Sequence, residues 1–547
     1  MLTYDDIPAR LNVASWFLDR NLEEGRGERT ALIVGDDRAH SYAELAATAN
    51  RVGNVLLELG VRPEDRVLIA LSDGLEFVAT WYAVLKVGGV VAEVYTFLQP
   101  KDYAYYLDYT RARVVLVDRT TLGPVREARA ATDFAGELLV VGASSAELEE
   151  REHSFDEWVG AASDELEPAP TGRDDVAIWK FTTGSTGAPK AAVHLAHDPV
   201  ISFECYAKGV LGYRPDDIVL PVPKLFFGYG RDAATLFTFG VGAAGIVFPE
   251  RSTPERVFEL IARHRPTILA QVPSMIRAMV EHPDAGAQDL SSVRFCISAG
   301  EALPGQLHQR WQRTFGVEVL DGVGSSEAYH IYLSSRPAAV REGSVGQVVP
   351  GYKATLVDPT GKPVPDGETG ELWIEGESAA VLYWSDHRKS KRTFAGDLIH
   401  TGDLFERDAD GYFWYRGRVD DLIKVRGIWV APMEIERCLV GHPAVLECAV
   451  VGAEEETGLM VPRAYVALRD RARVGDELAR ELQDYVRSRL SPHKYPRQVR
   501  FLDELPKTGQ GKVDRRTLRA LGDGGDDNGA DGAFVARRGT QTARERG

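Results

Sequence analysis

The chain has 547 residues, 44% hydrophobic and 27% charged, which suffices for two or three domains with large apolar cores and no need of disulfides or structural metal. Its 64 basic and 81 acidic residues leave a net charge of −17. That excludes a general nucleic-acid binder, which needs a basic surface, but not a small anionic substrate held by a few cations in one cleft.

In chain order, Ser41–Leu59 has apolar residues at helical spacing and ends at Gly60. Short apolar runs predict strands at Arg66–Leu71, Val114–Asp118, Leu138–Val141 and Val176–Phe181. Ala233–Phe239 predicts a helix. Ile246–Pro249, Thr267–Gln271 and Val293–Ser298 predict strands. Pro254–Arg265 predicts a helix with Thr253 as N-cap and Val257, Phe258 and Ile261 on one face. Such alternation predicts α/β layers with largely parallel sheet. The run GVGAAG, Gly240–Gly245, has dinucleotide-binding spacing, but a helix precedes it and a strand follows, so it reads as a tight turn.

From about residue 343 turn signals crowd together, with strands at Ala354–Val357, Glu371–Glu375 and Tyr412–Tyr415. This predicts a β-rich subdomain over about 343–417, closing an N-terminal domain of residues 1–417. Helices at Pro432–Leu439 and Asp476–Leu490, with strands at Val445–Gly452 and Arg463–Leu468, predict a small α+β domain over 418–521. The Gly/Asp/Arg-rich segment 522–547 predicts a disordered tail. The four cysteines lack metal-ligand spacing, the N-terminus lacks an apolar signal core, and no apolar run approaches the ~18 residues of a membrane span. A cytoplasmic protein without membrane contact is expected.

The strongest local signal is FTTGSTGAPK, Phe181–Lys190. Its glycines let backbone N–H groups approach an anion, its hydroxyls add donors, and Lys190 adds a point charge. Only 14 of the 64 basic residues are lysines, which makes a lysine here conspicuous. The GxxxxGK[ST] spacing of a Walker loop is absent. Four more segments follow in order: VGSSE at Val323–Glu327, TGD at Thr401–Asp403, GRVDDLIKVRGIWVAPMEIE at Gly417–Glu436 and PKTGQGK at Pro506–Lys512.

Together these five segments resemble the signatures of the ANL superfamily of adenylate-forming enzymes, over roughly residues 30–520. The resemblance implies that a carboxylate attacks the α-phosphate of ATP, releasing pyrophosphate, and that the acyl-adenylate then passes to a thiol, that of coenzyme A. Lys190 with Thr182, Thr183, Gly184, Ser185, Thr186 and Gly187 would hold the β- and γ-phosphates. Ser326 would contact the α-phosphate, Glu327 would help hold Mg²⁺, and Asp403 and Arg418 would grip the ribose. Gly300, Glu301, Asp321 and Gly322 would complete the ATP site. Lys512 would bridge carboxylate and ribose oxygens during adenylation. The C-terminal domain would then turn about a hinge near Asp420, withdrawing Lys512 and bringing Lys424, Gly427 and Trp429 toward coenzyme A.

KLFFGYG at Lys224–Gly230 and DGVGSSEAYHIYLS at Asp321–Ser334 are similar to the benzoate-CoA ligase branch. By that likeness Phe227, Gly228, Tyr229, Ser298, Ala299, Tyr329, His330 and Ile331 line the acyl pocket. Gly228 is expected to enlarge the slot, and the Tyr329 phenol to bond a ring substituent. The expected substrate is a substituted benzoate, salicylate or naphthoate, activated for biosynthesis of an aromatic natural product. Benzoate catabolism, an aryl-AMP ligase loading a carrier protein, and an inactive acyl-adenylate-binding regulator stay open as alternatives. The expected partners are the acid, ATP, coenzyme A, and a carrier protein or downstream acyltransferase, with the chain a monomer or homodimer.

Overall fold

Two large sheets carry most of the N-terminal body. The computed structural model describes residues 3–182, 188–425, 428–454, 460–470, 474–491, 494–507, 513–523 and the strand Phe534–Ala536. One sheet has eight strands among the described residues. Its parallel centre is Val90–Glu93, Arg66–Ala70, Val114–Val117 and Glu137–Val140, and Val176–Thr182 lies parallel beside Val90–Glu93. Lys190–Leu195 returns antiparallel to Val176–Thr182. The other sheet has nine strands, with Ile218–Pro221, Ala244–Val247, Ile268–Gln271, Phe295–Ser298 and Val319–Gly324 all parallel. The inner faces share one core with the helices Tyr42–Glu58 and Leu75–Lys86.

The strand and helix predictions hold to within a few residues. Ser41 caps its helix by accepting from the Glu44 N–H, with the Glu44 carboxylate accepting in return from the Ser41 N–H. Thr253 accepts from the Arg256 N–H at the start of Pro254–His264. Around GVGAAG the order is helix, turn, strand: Phe237–Val241, Gly242 at φ +76°, then Ala244–Val247.

The β-rich part is a five-stranded antiparallel sheet built from Lys353–Val357, Thr369–Glu375, Phe394–Ala395, Leu398–Arg407 and Phe413–Arg418. One piece of this stretch belongs elsewhere. Leu382–Tyr383 pairs with Val193 and Ala192 and forms the edge of the eight-stranded sheet. At the junction of the two sheet systems Gly346 has φ +87°, and a Cβ there would sit 2.0 Å from the Ser334 carbonyl carbon. Neither group can yield, because both are backbone. Gly346→Ala is expected to cost about 3 kcal/mol and to lower the apparent melting temperature in a thermal scan.

The C-terminal body combines the hairpin Ile423–Val425 and Ile428–Val430 with the sheet Val445–Glu454, Met460–Leu468, Gln498–Phe501 and Phe534–Ala536. The helices Pro432–Val440 and Asp476–Arg487 pack their apolar faces against it. Among the described residues the C-terminal body meets the N-terminal body through hydrogen bonds from Arg437 Nη2 to the Tyr415 carbonyl at 3.0 Å and from Arg277 Nη1 to the Leu446 carbonyl at 3.4 Å. The helix Arg515–Asp523 covers the first two residues of the segment expected to be a disordered tail, and Phe534–Ala536, a short apolar run within it, pairs with Gln498–Phe501; the rest of that segment lies outside the described residues.

Among the described residues no helix is long and apolar enough to cross a membrane.

Candidate active site

The predicted site residues sit on strand ends and on the turns that follow them. The glycine-rich loop joins Val176–Thr182 to Lys190–Leu195. Thr183, Gly184, Ser185, Thr186 and Gly187 lie outside the described residues, as do Gly427, Lys512 and the side chains of Lys424 and Trp429. Thr182 ends the first strand and Lys190 begins the second, paired across the hairpin.

Ser326 and Glu327 stand on a short 3₁₀ turn, Ser326–Ala328, capped by Ser325, whose hydroxyl accepts from the Ala328 N–H. The turn is held from two sides. The buried His194 donates from Nε2 to the Ser326 carbonyl at 2.6 Å, and its Nδ1 faces Asp198 at 2.6 Å. Tyr383 donates its hydroxyl to Glu327 Oε1 at 2.6 Å. Three residues on, Asp386 Oδ2 pairs with Lys190 Nζ at 2.9 Å. One short segment, 383–386, therefore holds both the predicted magnesium carboxylate and the predicted phosphate lysine. Neither Tyr383 nor Asp386 was singled out from the sequence. Their partners lie far away in the chain, and no local pattern marks them.

Asp403 and Arg418 face each other across adjacent strands, with Arg418 Nη1 to Asp403 Oδ1 at 3.0 Å. Gly402 has φ +70°, and Thr401 Oγ1 accepts from the Asp403 N–H, which fixes the carboxylate at the bend. Arg418 also feels the charge of Glu327. Asp420, which follows, is exposed. Gly300 has φ +88°, and a Cβ there would meet only Val272 Cγ1, at 4.0 Å. The Glu301 carboxylate is spent on the N–H and hydroxyl of Ser274, which leaves only its backbone for a nucleotide.

Asp321 is buried beside Ser298 on the neighbouring strand. Burial pushes its carboxyl up to about 8, against the Ser298 hydroxyl and the Gly322 N–H. Its Oδ1 has no hydrogen-bond partner among the described residues, a buried acceptor that fits an amine donor such as that of adenine. Because its folded pKa lies above the unfolded value, the folded state holds the extra proton between about pH 4 and pH 8, and stability falls as pH rises through that window. Asp321→Asn removes the titration. The melting temperature of the variant minus that of the unaltered protein is expected to grow from pH 5 to pH 8, and a constant difference would contradict this.

Around the predicted acyl pocket, Phe227 packs with Phe226 and Tyr95 at ring distances of 4.8 and 5.1 Å. Tyr229 and His330 lie with ring centroids 5.7 Å apart, and His330 Nε2 makes a long 3.5 Å contact to the Tyr229 carbonyl. Burial drives the His330 imidazole down to about 3, so it is neutral at pH 7, and its Nδ1 has no hydrogen-bond partner among the described residues. Ser298, Ala299 and Ile331 are buried alongside.

Two expectations need correction. Tyr329 is 1% exposed at φ +70°, and its phenol turns to Asp232 Oδ1 at 3.5 Å rather than to a ring substituent, because a buried carboxylate is the stronger acceptor. Gly228 does not simply enlarge the slot, since the space its Cβ would take is filled by Lys180. Lys180 was missed as well, although a lysine inside the apolar run VAIWKF was a legible anomaly.

The described residues hold no cluster of three or more His, Cys, Asp or Glu side chains fit for a metal ion. The donor set at Glu327 fits Mg²⁺ only as one carboxylate, with phosphate oxygens and water supplying the rest.

Comparison with known proteins identifies the family. Residues 18–384 match the AMP-binding enzyme family and residues 434–512 match the AMP-binding enzyme C-terminal domain. The benzoate–CoA ligase of Thauera aromatica is 40% identical over 516 residues, covering 94% of this chain and 97% of that one. Among solved structures, an anthranilate CoA ligase in complex with anthranoyl-AMP superposes with a TM-score of 0.88 at 36% identity, covering 95% of this chain and 99% of that one. A benzoate CoA ligase from Burkholderia xenovorans LB400 gives a TM-score of 0.84 at 40% identity, covering 93% and 100%.

Proposed function

This chain belongs to the AMP-binding enzyme family, and from that premise we propose that it is an AMP-forming aryl-CoA ligase. A carboxylate oxygen of the aromatic acid bonds to the α-phosphorus of ATP as the bond to pyrophosphate breaks. The thiol of coenzyme A, losing its proton, then attacks the acyl carbon, and AMP leaves. The observation that carries the reading is that segment 383–386 holds both Glu327 and Lys190, with Arg418, paired to Asp403, within electrostatic reach of Glu327.

Lys190 neutralises phosphate charge as pyrophosphate departs, and Asp386 keeps its ammonium at the mouth of the loop. Ser326 offers its hydroxyl to the α-phosphate, on a turn that His194 prevents from shifting. Asp403 accepts from the ribose hydroxyls, with Arg418 fixing its orientation. Glu327 would hold Mg²⁺, which would supply positive charge against the phosphates. Phe227, Tyr229 and His330 present ring faces to an aryl group. With the acyl wall partly polar, the reading extends to a ring-substituted acid and a biosynthetic setting, the thioester being consumed by an acyltransferase.

Aromatic-acid-dependent exchange of labelled pyrophosphate into ATP tests the first half-reaction, and thioester formation with free coenzyme A tests the second. Exchange without thioester on coenzyme A, but with transfer to a carrier protein, would convert the reading to an aryl-AMP ligase.

A further inference from the structure

Lys180 stands inside the strand Val176–Thr182, just ahead of the glycine-rich loop, and is buried. Its ammonium donates to Asp232 Oδ2 and to the Tyr329 carbonyl, each at 2.6 Å, and lies 3.6 Å from the Tyr329 ring centroid. Asp232 accepts in turn from Arg231 Nη2 at 2.7 Å, and Arg231 pairs with Glu93. The four charges cancel, and none is more than 5% exposed. Taking four charges out of water is costly even when they are paired, so such a quartet is poor evidence of a stabilising device.

Its position supplies another reason. A Cβ on Gly228 would lie 2.9 Å from Lys180 Nζ and 3.1 Å from Cε. Gly228 opens the helix Gly228–Arg231 and does not have a left-handed backbone, so its own conformation does not demand glycine. The lysine does. Gly228, one of the residues assigned to the acyl pocket, therefore meets the ammonium with bare backbone. An ammonium carries three donors. Two reach oxygens, and the third has no oxygen partner among the described residues.

We propose that Lys180 is a specificity-determining residue of the acyl pocket, its remaining N–H reaching past Gly228 to an oxygen-bearing substituent on the ring of the aromatic acid. The inference rests on the aryl-CoA ligase reading above. Hydroxyl, alkoxy and carboxylate oxygens all supply the lone pair required. A site with an unfilled buried donor penalises the analogue that lacks the acceptor, because that donor has then lost water and gained nothing. Glu93, Arg231 and Asp232 act as positioning residues. They fix the lysine's two other donors and keep the buried charge neutral.

The test is pyrophosphate exchange by the full-length enzyme on benzoate and its 3- and 4-hydroxy, methoxy and carboxy derivatives. The unaltered protein is compared with Lys180→Met/Asp232→Asn, which keeps the remaining Arg231–Glu93 pair neutral, and with Gly228→Ala, which crowds the ammonium. Melting curves accompany each variant. The unaltered enzyme is expected to prefer its best substituted acid over benzoate by ~10²-fold or more in kcat/KM. In both variants that ratio is expected to collapse to within ~10-fold, by loss on the substituted acid. An unchanged ratio in whichever variant remains folded overturns the inference, even if all rates fall together. No exchange with any aromatic acid by the unaltered enzyme overturns the underlying reading instead.

Discussion

Lys512→Ala is expected to lower aromatic-acid-dependent pyrophosphate exchange by ~10²–10³-fold, the typical cost of losing one charged transition-state contact. The same variant should still form thioester from supplied aryl-adenylate at close to the normal rate. The reason lies in how the loop is mounted. Lys507 bridges to Val513 and the Asp514 N–H donates to the Pro506 carbonyl, so the residues flanking 508–512 are closed against each other. Next to that base, Arg515 clamps Glu436 at 2.6 Å and reaches Asp421 at 3.5 Å, and Arg519 holds Asp421 at 2.8 Å. Asp421 adjoins Asp420, the proposed hinge, so a turn there is expected to carry the base of the lysine segment with it. Single-turnover assays of the two half-reactions separate the cases, and equal loss in both would contradict a lysine that serves only adenylation.

Glu327→Gln is expected to lower adenylation by ~10²-fold and to raise the magnesium concentration needed for half-maximal exchange. Tyr383→Phe removes the 2.6 Å hydrogen bond to Glu327 Oε1 and leaves the carboxylate in place. A hydrogen bond to a charged group contributes about 1.5–3 kcal/mol, so a loss of ~10-fold or more is expected. The two variants should differ in kind. Glu327→Gln shifts the magnesium requirement, whereas Tyr383→Phe acts on orientation and shifts it little. Titrating magnesium against initial exchange rate for both proteins checks this, and chelation with EDTA should abolish exchange in each.

The parallel strands were legible because buried strands read as short apolar runs such as Val114–Val117 and Ile268–Gln271. Helix starts were legible where a hydroxyl cap stands in sequence, as at Ser41 and Thr253. The glycine-rich segment stood out in the sequence because phosphate chemistry demands glycines, hydroxyls and a lysine close together in the chain, although its residues 183–187 lie outside the described residues. What stayed hidden is the polar scaffolding behind them. His194, Tyr383 and Asp386 act on residues far away in sequence, and only the folded sheet brings them there. The Lys180 quartet is the clearest case. Its members come from the 93, 180 and 231–232 regions, and none of these segments reveals a partner by its own pattern. Tyr329 was misread for the same reason, since its acceptor, Asp232, is a neighbour only in space.

The edge pairing of Leu382–Tyr383 with Ala192 and Val193 bears on how the gene can be recombined. A designer who exchanged the β-rich stretch 343–417 for that of a relative, trusting the turn-rich composition, would carry away a rib of the other sheet along with it. Tyr383 and Asp386 would then come from one parent, and Glu327 and Lys190 from the other. Crossovers that keep residues 380–393 with the parent supplying 176–195 preserve the hydrogen-bonded edge and both contacts, and libraries cut there should retain more active members than libraries cut at 343 and 417.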